Sequence, residues 1–157
     1  MSTTDLDLLR RCIKLAERAR REGNPPFGSL LVDGDGAVLH EAWNTTRADA
    51  DITAHPELKL ARWAARHLGN DDRARASMYT SGEHCPMCAT AHAYAGIGRL
   101  VFAFSSEQLA ATTGRPGWRL PARELFERAE VSVAVEGPFP ELAEACRALH
   151  LGDAVHR

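Results

Sequence analysis

The sequence is poor in cysteine, with four in 157 residues, too few for a disulfide scaffold of this length. With no export signal ahead of them, they read as reduced thiols. Charge of one sign is equally scarce. Nineteen Lys and Arg stand against 21 Asp and Glu, for a formal net charge of -2. That near-balance argues against a protein that holds bulk nucleic acid by charge. No long uncharged apolar run occurs, so no membrane span is expected. The opening stretch Met1 to Asp7 is acidic and polar, unlike a signal or transit peptide, and a cytoplasmic location is expected. No internal repeat, low-complexity tract or linker interrupts the chain, so one domain over residues 1–157 is expected. What is there is globular in kind. A 45% hydrophobic share with 25% charged residues excludes disorder, and a chain of this size buries roughly 70% of its unfolded surface.

Patterning along the chain alternates between two periods. Leu6, Leu9, Ile13, Ala16 and Ala19 form a helical stripe over Asp5 to Glu22. Thr3 or Thr4 is placed to cap it, and Gly23, Pro25 and Pro26 end it. Two apolar runs, Phe27 to Val32 and Ala37 to Trp43, flank Asp33-Gly34-Asp35-Gly36 and predict a hairpin. A polar loop follows over Asn44 to Thr53. Helical spacing returns at Leu58, Ala61, Ala65 and Leu68, closed by Gly69. Strands are expected at Ala76 to Thr80, Leu100 to Phe104 and Val131 to Val135. Helices are expected at Pro86 to Ala95, Ser106 to Ala111, Pro121 to Ala129 and Pro140 to His150. One hairpin followed by strands alternating with helices predicts an α/β fold. Its form is a three-layer α/β/α sandwich around a five-stranded mixed sheet.

Two segments carry chemistry. One is His55-Pro56-Glu57 at a helix start, the other Glu83-His84-Cys85-Pro86-Met87-Cys88 at a strand-to-helix junction. Cys85 and Cys88 are three apart and share one helix face. They lie in the first turn, where unpaired amides and the helix dipole favour thiolate. Pro86 suits that turn because it has no amide to waste. Alone, Cys-x-x-Cys also marks a redox pair. Joined to His-x-Glu at a second helix start, it favours zinc. Two thiolates and one imidazole make three ligands, and no fourth Cys or His stands at matching spacing. Structural zinc sites are closed by four protein ligands, whereas catalytic ones keep a position for water. A free carboxylate beside that water, here Glu57, is the arrangement that moves protons in metal-assisted hydrolysis.

These residues resemble the zinc-dependent cytidine-deaminase-like superfamily, whose signature is H-x-E followed by P-C-x-x-C. The nearest likeness is to its guanine deaminase and tRNA-adenosine or cytosine deaminase branch. It includes Pro26-Phe27-Gly28, Trp43-Asn44, Thr53 to Glu57 and Tyr79 to Cys88, covers about Asp5 to Phe104, and fades beyond. The resemblance implies that His55, Cys85 and Cys88 hold Zn2+ and that Glu57 shuttles the proton. It also implies that Asn44 hydrogen-bonds the base and that Phe27 lines the pocket. The chain departs from the family pattern twice. His84 stands where the family usually has proline, and offers either a substrate contact or an exposed side chain beside the metal. Pro56 stands where most relatives have alanine, and has no amide to offer the substrate.

The expected activity is hydrolytic deamination of a small aminated heterocycle, with guanine-type bases or nucleosides favoured. Near-neutral composition sets a tRNA or other nucleic-acid deaminase second. A non-catalytic zinc or redox module is the alternative of another class. The resemblance also implies a homodimer, with Pro138 to Arg157 as a candidate cover for the pocket. Cys12 and Cys146 read as buried small hydrophobes. His92, one turn after Cys88, reads as core or surface rather than site. Asn44 serves equally as a turn cap. Trp118, in a Gly and Pro loop, is either a lid aromatic or ordinary packing. Arg115, Arg119, Arg123 and Arg128 read as a solvated face rather than an RNA surface. Glu83 is left without a role.

Overall fold

A computed structural model describes residues 3–151. The expected caps at the side chains of Thr3 or Thr4 and the end of the candidate cover over 152–157 lie outside the described residues. Helix α1 (Thr3–Arg21) buries Leu8, Leu9, Cys12, Ile13, Leu15 and Ala16. The hairpin follows as β1 (Gly28–Val32) and β2 (Val38–Trp43). Its turn closes because Asp33 Oδ1 accepts from the amides of Asp35 and Ala37, each at 2.9 Å. Next come α2 (Pro56–His67), α3 (Asn70–Arg75), β3 (Ser77–Gly82), α4 (Pro86–Ala95) and β4 (Arg99–Phe104). The chain continues through α5 (Ser106–Thr113), α6 (Ala122–Arg128) and β5 (Ala134–Glu136). A 3-10 turn at Pro140–Leu142 then leads into α7 (Ala143–Leu149).

The sheet order is β2-β1-β3-β4-β5. β1 runs antiparallel to both β2 and β3, whereas β3, β4 and β5 are parallel. This is the expected five-stranded mixed sheet. Alternate residues face opposite layers. Leu30, Val32, Tyr79 and Val101 pack under α1 and α7. Leu31 and Met78 pack against α2, and Leu100 and Phe102 against α4 and α6. Cys12 and Cys146 sit in the α1 layer as free thiols. Burial pushes both up, Cys146 to about 12. Among the described residues no helix is long and apolar enough to cross a membrane.

Three elements differ from expectation. On α2 the buried stripe is Glu57, Leu60, Ala61 and Ala64, while Leu58 and Leu68 are half-buried and Ala65 is exposed. The true i, i+3, i+4, i+7 face starts at a carboxylate, which a search for apolar residues passes over. Helix α3 was not expected because none of its residues is buried. Asp71 and Asp72 at its start and Arg73 and Arg75 at its end complement the helix dipole instead. β5 is shorter and later than expected, and Val131 and Val133 pack beside Val135 on the Phe126 cluster ahead of the ladder.

A half-buried polar network fastens the start of α1 to the sheet. Arg99 donates to Asp5 (3.1 Å), Tyr79 (2.8 Å) and Glu136 (2.9 Å), and Tyr79 donates to Asp5 at 2.6 Å. Burial opposes ionisation of Asp5, but hydrogen bonds from Tyr79 and Arg99 outweigh it and lower its pKa. Burial first, then the bond to Asp5, pushes Tyr79 up to about 12.

α1 crosses β1 at Gly28 so closely that a Cβ there would lie 2.5 Å from the Cys12 carbonyl oxygen and 2.6 Å from the Ala16 amide nitrogen. Backbone on a packed helix cannot give way locally. Gly28→Ala is therefore expected to destabilise by about 3 kcal/mol, the upper end of overpacking costs. A lower urea midpoint at unchanged slope is the readout.

Candidate active site

Two helix starts meet at the end of the sheet where β3 finishes and β1 begins. His55 is the N-cap of α2, with Pro56 in its first turn. The loop that delivers it is held by its own side chains. The Asn44 amide donates to the Phe27 carbonyl at 3.0 Å. Asn24 Oδ1 accepts from the amides of Arg47 (3.1 Å) and Ala48 (3.0 Å). Asp51 Oδ1 accepts from the amide and hydroxyl of Thr53 at 2.8 and 2.6 Å. From α2, Lys59 Nζ donates to the Trp43 carbonyl (2.9 Å) and Thr45 Oγ1 (2.6 Å). Burial lowers the Lys59 pKa against the pull of Asp49 and Asp51.

Cys85 is the N-cap of α4, Pro86 its first residue and Cys88 its third. β3 ends in Gly82, where a Cβ would come within 3.2 Å of the Phe27 ring. His55 Nδ1 lies 3.4 Å from Cys88 Sγ and 3.7 Å from Cys85 Sγ, and the three donor atoms all lie within 4.8 Å of one another. Tetrahedral zinc, with bonds of roughly 2.3 Å to sulfur and 2.0–2.1 Å to nitrogen, needs S···N separations of about 3.6 Å. His55 and Cys88 are buried and Cys85 is half-buried. Two soft donors and one imidazole at that spacing fit zinc and leave a fourth position for water.

Behind this group lies a buried chain of polar side chains. Glu57 and His84 are both 0% exposed, with Glu57 Oε2 3.9 Å from His84 Nδ1. His84 Nε2 meets His92 Nδ1 at 3.0 Å, and His92 Nε2 meets the Ile97 carbonyl at 3.1 Å. Burial lowers His92 to about 4 despite its bond to Ile97. His84 is thus no exposed residue beside the metal. His92, read as core or surface, is buried and reaches back to the site through His84. Spacing alone placed it one turn after Cys88 but did not identify its partner.

A cavity of about 750 Å³ opens over Cys85 and His55. Phe27 and His84 lie in its lining, while Asn44 and Glu57 do not. Asn44 is fully buried, and its Oδ1 accepts from the Thr46 amide and hydroxyl, both at 2.9 Å. It therefore caps the turn, and its Nδ2 keeps an unused donor. The far wall comes from the α5–α6 segment, including Leu109, Arg115, Trp118 and Leu120. Trp118 is 77% exposed, which makes it a rim aromatic rather than core packing. Glu83 sets the position of this wall. Its Oε1 accepts from the Ser106 amide at 2.9 Å and its Oε2 from the Ala122 amide at 2.8 Å, so one carboxylate starts both helices. A carboxylate that caps helices distant in sequence leaves no local spacing signal. The C-terminal segment touches the cavity indirectly, through His150 packed at 5.1 Å against Phe27.

Residues 2–104 match the profile of the cytidine and deoxycytidylate deaminase zinc-binding region. A probable cytosine deaminase of Schizosaccharomyces pombe is 34% identical over 145 residues, 90% of this chain and 88% of its own. A guanine deaminase of Bacillus subtilis is 38% identical over 81 residues, 51% of each chain. A solved structure from work on A-to-I editing by tRNA:A34 deaminases superposes with a TM-score of 0.72 at 28% identity, covering 93% of this chain and 99% of that one.

The His92 shift has a definite sign. A folded pKa lowered from 6.5 to about 4 contributes stability that is fully present above pH 6.5 and is lost as the pH falls through 4. The loss amounts to about 3 kcal/mol. His92→Leu is expected to flatten this acid limb. Denaturant titrations of both proteins with a chelator present, so that zinc release does not contribute, check it.

Proposed function

The chain belongs to the cytidine and deoxycytidylate deaminase family and is a zinc-dependent hydrolytic deaminase, and on that premise we propose that its substrate is a small aminated nucleobase or nucleoside of the guanine type. The observation that carries this reading is a buried carboxylate, Glu57, at the same helix start as one of three zinc-fitting donors, under a cavity walled mainly by apolar side chains. A tRNA substrate calls for several phosphate contacts. Among the described residues, Arg115 is the one Lys or Arg lining this cavity. Arg123 donates to the Val135 carbonyl, and Arg128 pairs with Glu124. The volume of about 750 Å³ has room for a purine and its sugar.

Zinc held by His55, Cys85 and Cys88 supplies, when bound, the Lewis acidity that makes water nucleophilic near neutral pH. Glu57 takes the proton released from that water and delivers it to the ring nitrogen next to the carbon bearing the amine. The ring carbon becomes tetrahedral as oxygen adds. Glu57 then takes the second proton from the added hydroxyl and passes it to the amine, the C–N bond breaks as the carbonyl forms, and ammonia leaves. Phe27, in the cavity lining, stacks against the ring. Pro56 removes one backbone donor from the site, so the remaining polar contacts carry the discrimination. Purified protein is expected to hold one equivalent of zinc per chain, which Cys88→Ala removes. Ammonia release, screened over aminated purines, pyrimidines, pterins and triazines as bases and nucleosides, is expected for at least one guanine-type compound. Glu57→Ala should lower it roughly 10³-fold with zinc retained. Deamination confined to tRNA, with steeply salt-dependent binding, would replace the small-molecule reading.

The same reading includes pairing with a second copy. Ile52 at the cavity rim and Tyr94 on α4 are exposed apolar side chains, at 87% and 88%, that a partner subunit would cover. Sedimentation velocity is expected to report a dimer, and a monomer at micromolar concentration would remove this part.

A further inference from the structure

We propose that Glu83 is a specificity-determining positioning residue, one carboxylate that holds the starts of α5 and α6 in place beside Cys85 and so sets which substrates the cavity admits. The inference rests on the reading of that cavity as the pocket for a small substrate. Ser106 and Ala122 are the first residues of α5 and α6. First-turn amides have no partner inside their own helix, and both are spent on Glu83, at 2.9 and 2.8 Å. At α5 the bond is not needed to make the helix, because Ser105 and Gln108 already close a capping box. No residue of α5 is fully buried, so its first turn is located by its caps more than by a core face. α6 has the opposite balance. Ala122 and Phe126 share a buried cluster with Ala89 of α4, while its N-cap, Pro121, makes no side-chain cap. What Glu83 adds to both helices is a common position.

Glu83 is itself held. Its amide donates to the Phe104 carbonyl at 2.9 Å, at the end of the β3–β4 ladder, and Cys85 follows within the same turn of chain. The side chain thus carries the position of the sheet end to two helix starts 23 and 39 residues further along. Leu109 on α5, with Arg115, Trp118 and Leu120 between the helices, lines the cavity from this wall. A substrate with its reacting carbon over His55 and Cys85 meets the wall with its distal part. Contacts there are alike in ground and transition state, so they act on KM and on discrimination and leave kcat. The two bonds call for a carboxylate. Glutamine has one accepting oxygen and a nitrogen that only donates, so it cannot take both amides.

The test uses the zinc-loaded full chain. In Glu83→Gln, zinc content and kcat are expected to stay within about twofold of wild type, while KM for the best compound of the ammonia-release screen rises roughly tenfold. The kcat/KM ratio between that compound and the next best is expected to move by roughly tenfold as well. Ser106→Pro is a second variant that leaves Glu83 intact. Proline suits the first helical position and the extended Ser105 before it (φ -78°, ψ 159°), but has no amide. Its KM is expected to rise severalfold beyond that of Ser106→Ala, which keeps the amide. Hydrogen exchange in ¹H–¹⁵N spectra reads the bonds themselves. The Ser106 and Ala122 amides are expected to be protected in the wild type, and at least one to exchange roughly tenfold faster in Glu83→Gln. Wild-type KM and discrimination in both Glu83→Gln and Ser106→Pro would overturn the proposal. So would loss of zinc, or a fall in kcat alone, in Glu83→Gln, because either would assign Glu83 to the metal junction. Unprotected Ser106 and Ala122 amides in the wild type would overturn it without any assay. Deamination confined to tRNA would remove the small-substrate reading and the selectivity role with it, and that result is seen in the wild type before any variant is compared.

Discussion

Because α2 and α4 begin at the same point in space, an imidazole from one and two thiols from the other converge. The close approach depends on small side chains. Ala61 and Ala64 on α2 share a cluster with Ala91 and Ala95 on α4. Pro56 and Pro86 each occupy a first turn where the missing amide costs nothing. The polar loop ahead of α2 is pinned by Asn24, Asp51 and Lys59, and the turn ahead of α4 by the small Gly82 against Phe27. Each of these contacts fixes the position of one ligand relative to the others.

The second constraint is burial of polarity behind the metal-fitting group. Glu57, His84 and His92 are all withdrawn from solvent, at a place where unsatisfied polar atoms are costly. Their order places a carboxylate, two imidazoles and a backbone carbonyl in a line. Each imidazole has both nitrogens engaged or directed, so ring orientation follows from the fold rather than from exposed rotamer choice. In front, the cavity wall is assembled from a distant segment whose two helix starts share one carboxylate, Glu83. The buried carboxylate, the floor and the wall thereby all adjoin the single junction between β3 and α4.

Much of this was legible from sequence because periodicity and spacing are local. The Cys-x-x-Cys pair with a proline between, the second helix start at His55, and the alternation of strands with helices each depend on neighbours within a few residues. The buried stripe of α2 was misread because its first member is Glu57, and polarity hides a core position from an apolar search. Helix α3 had no apolar face to detect. His92 and Glu83 were passed over because their partners lie eight, 23 and 39 residues away, where no pattern of period two or 3.6 carries information.

The sequence by itself determined the mixed α/β architecture, the donor set for zinc, and the carboxylate beside it. These follow from residue type and short spacing, which the chain keeps in any fold that satisfies them. Tertiary structure alone decided that His55 lies 3.4 Å from Cys88 and that His84 turns inward onto His92 rather than out to water. Both are set by how helices pack on a twisted sheet, and no short-range pattern of period two or 3.6 encodes them.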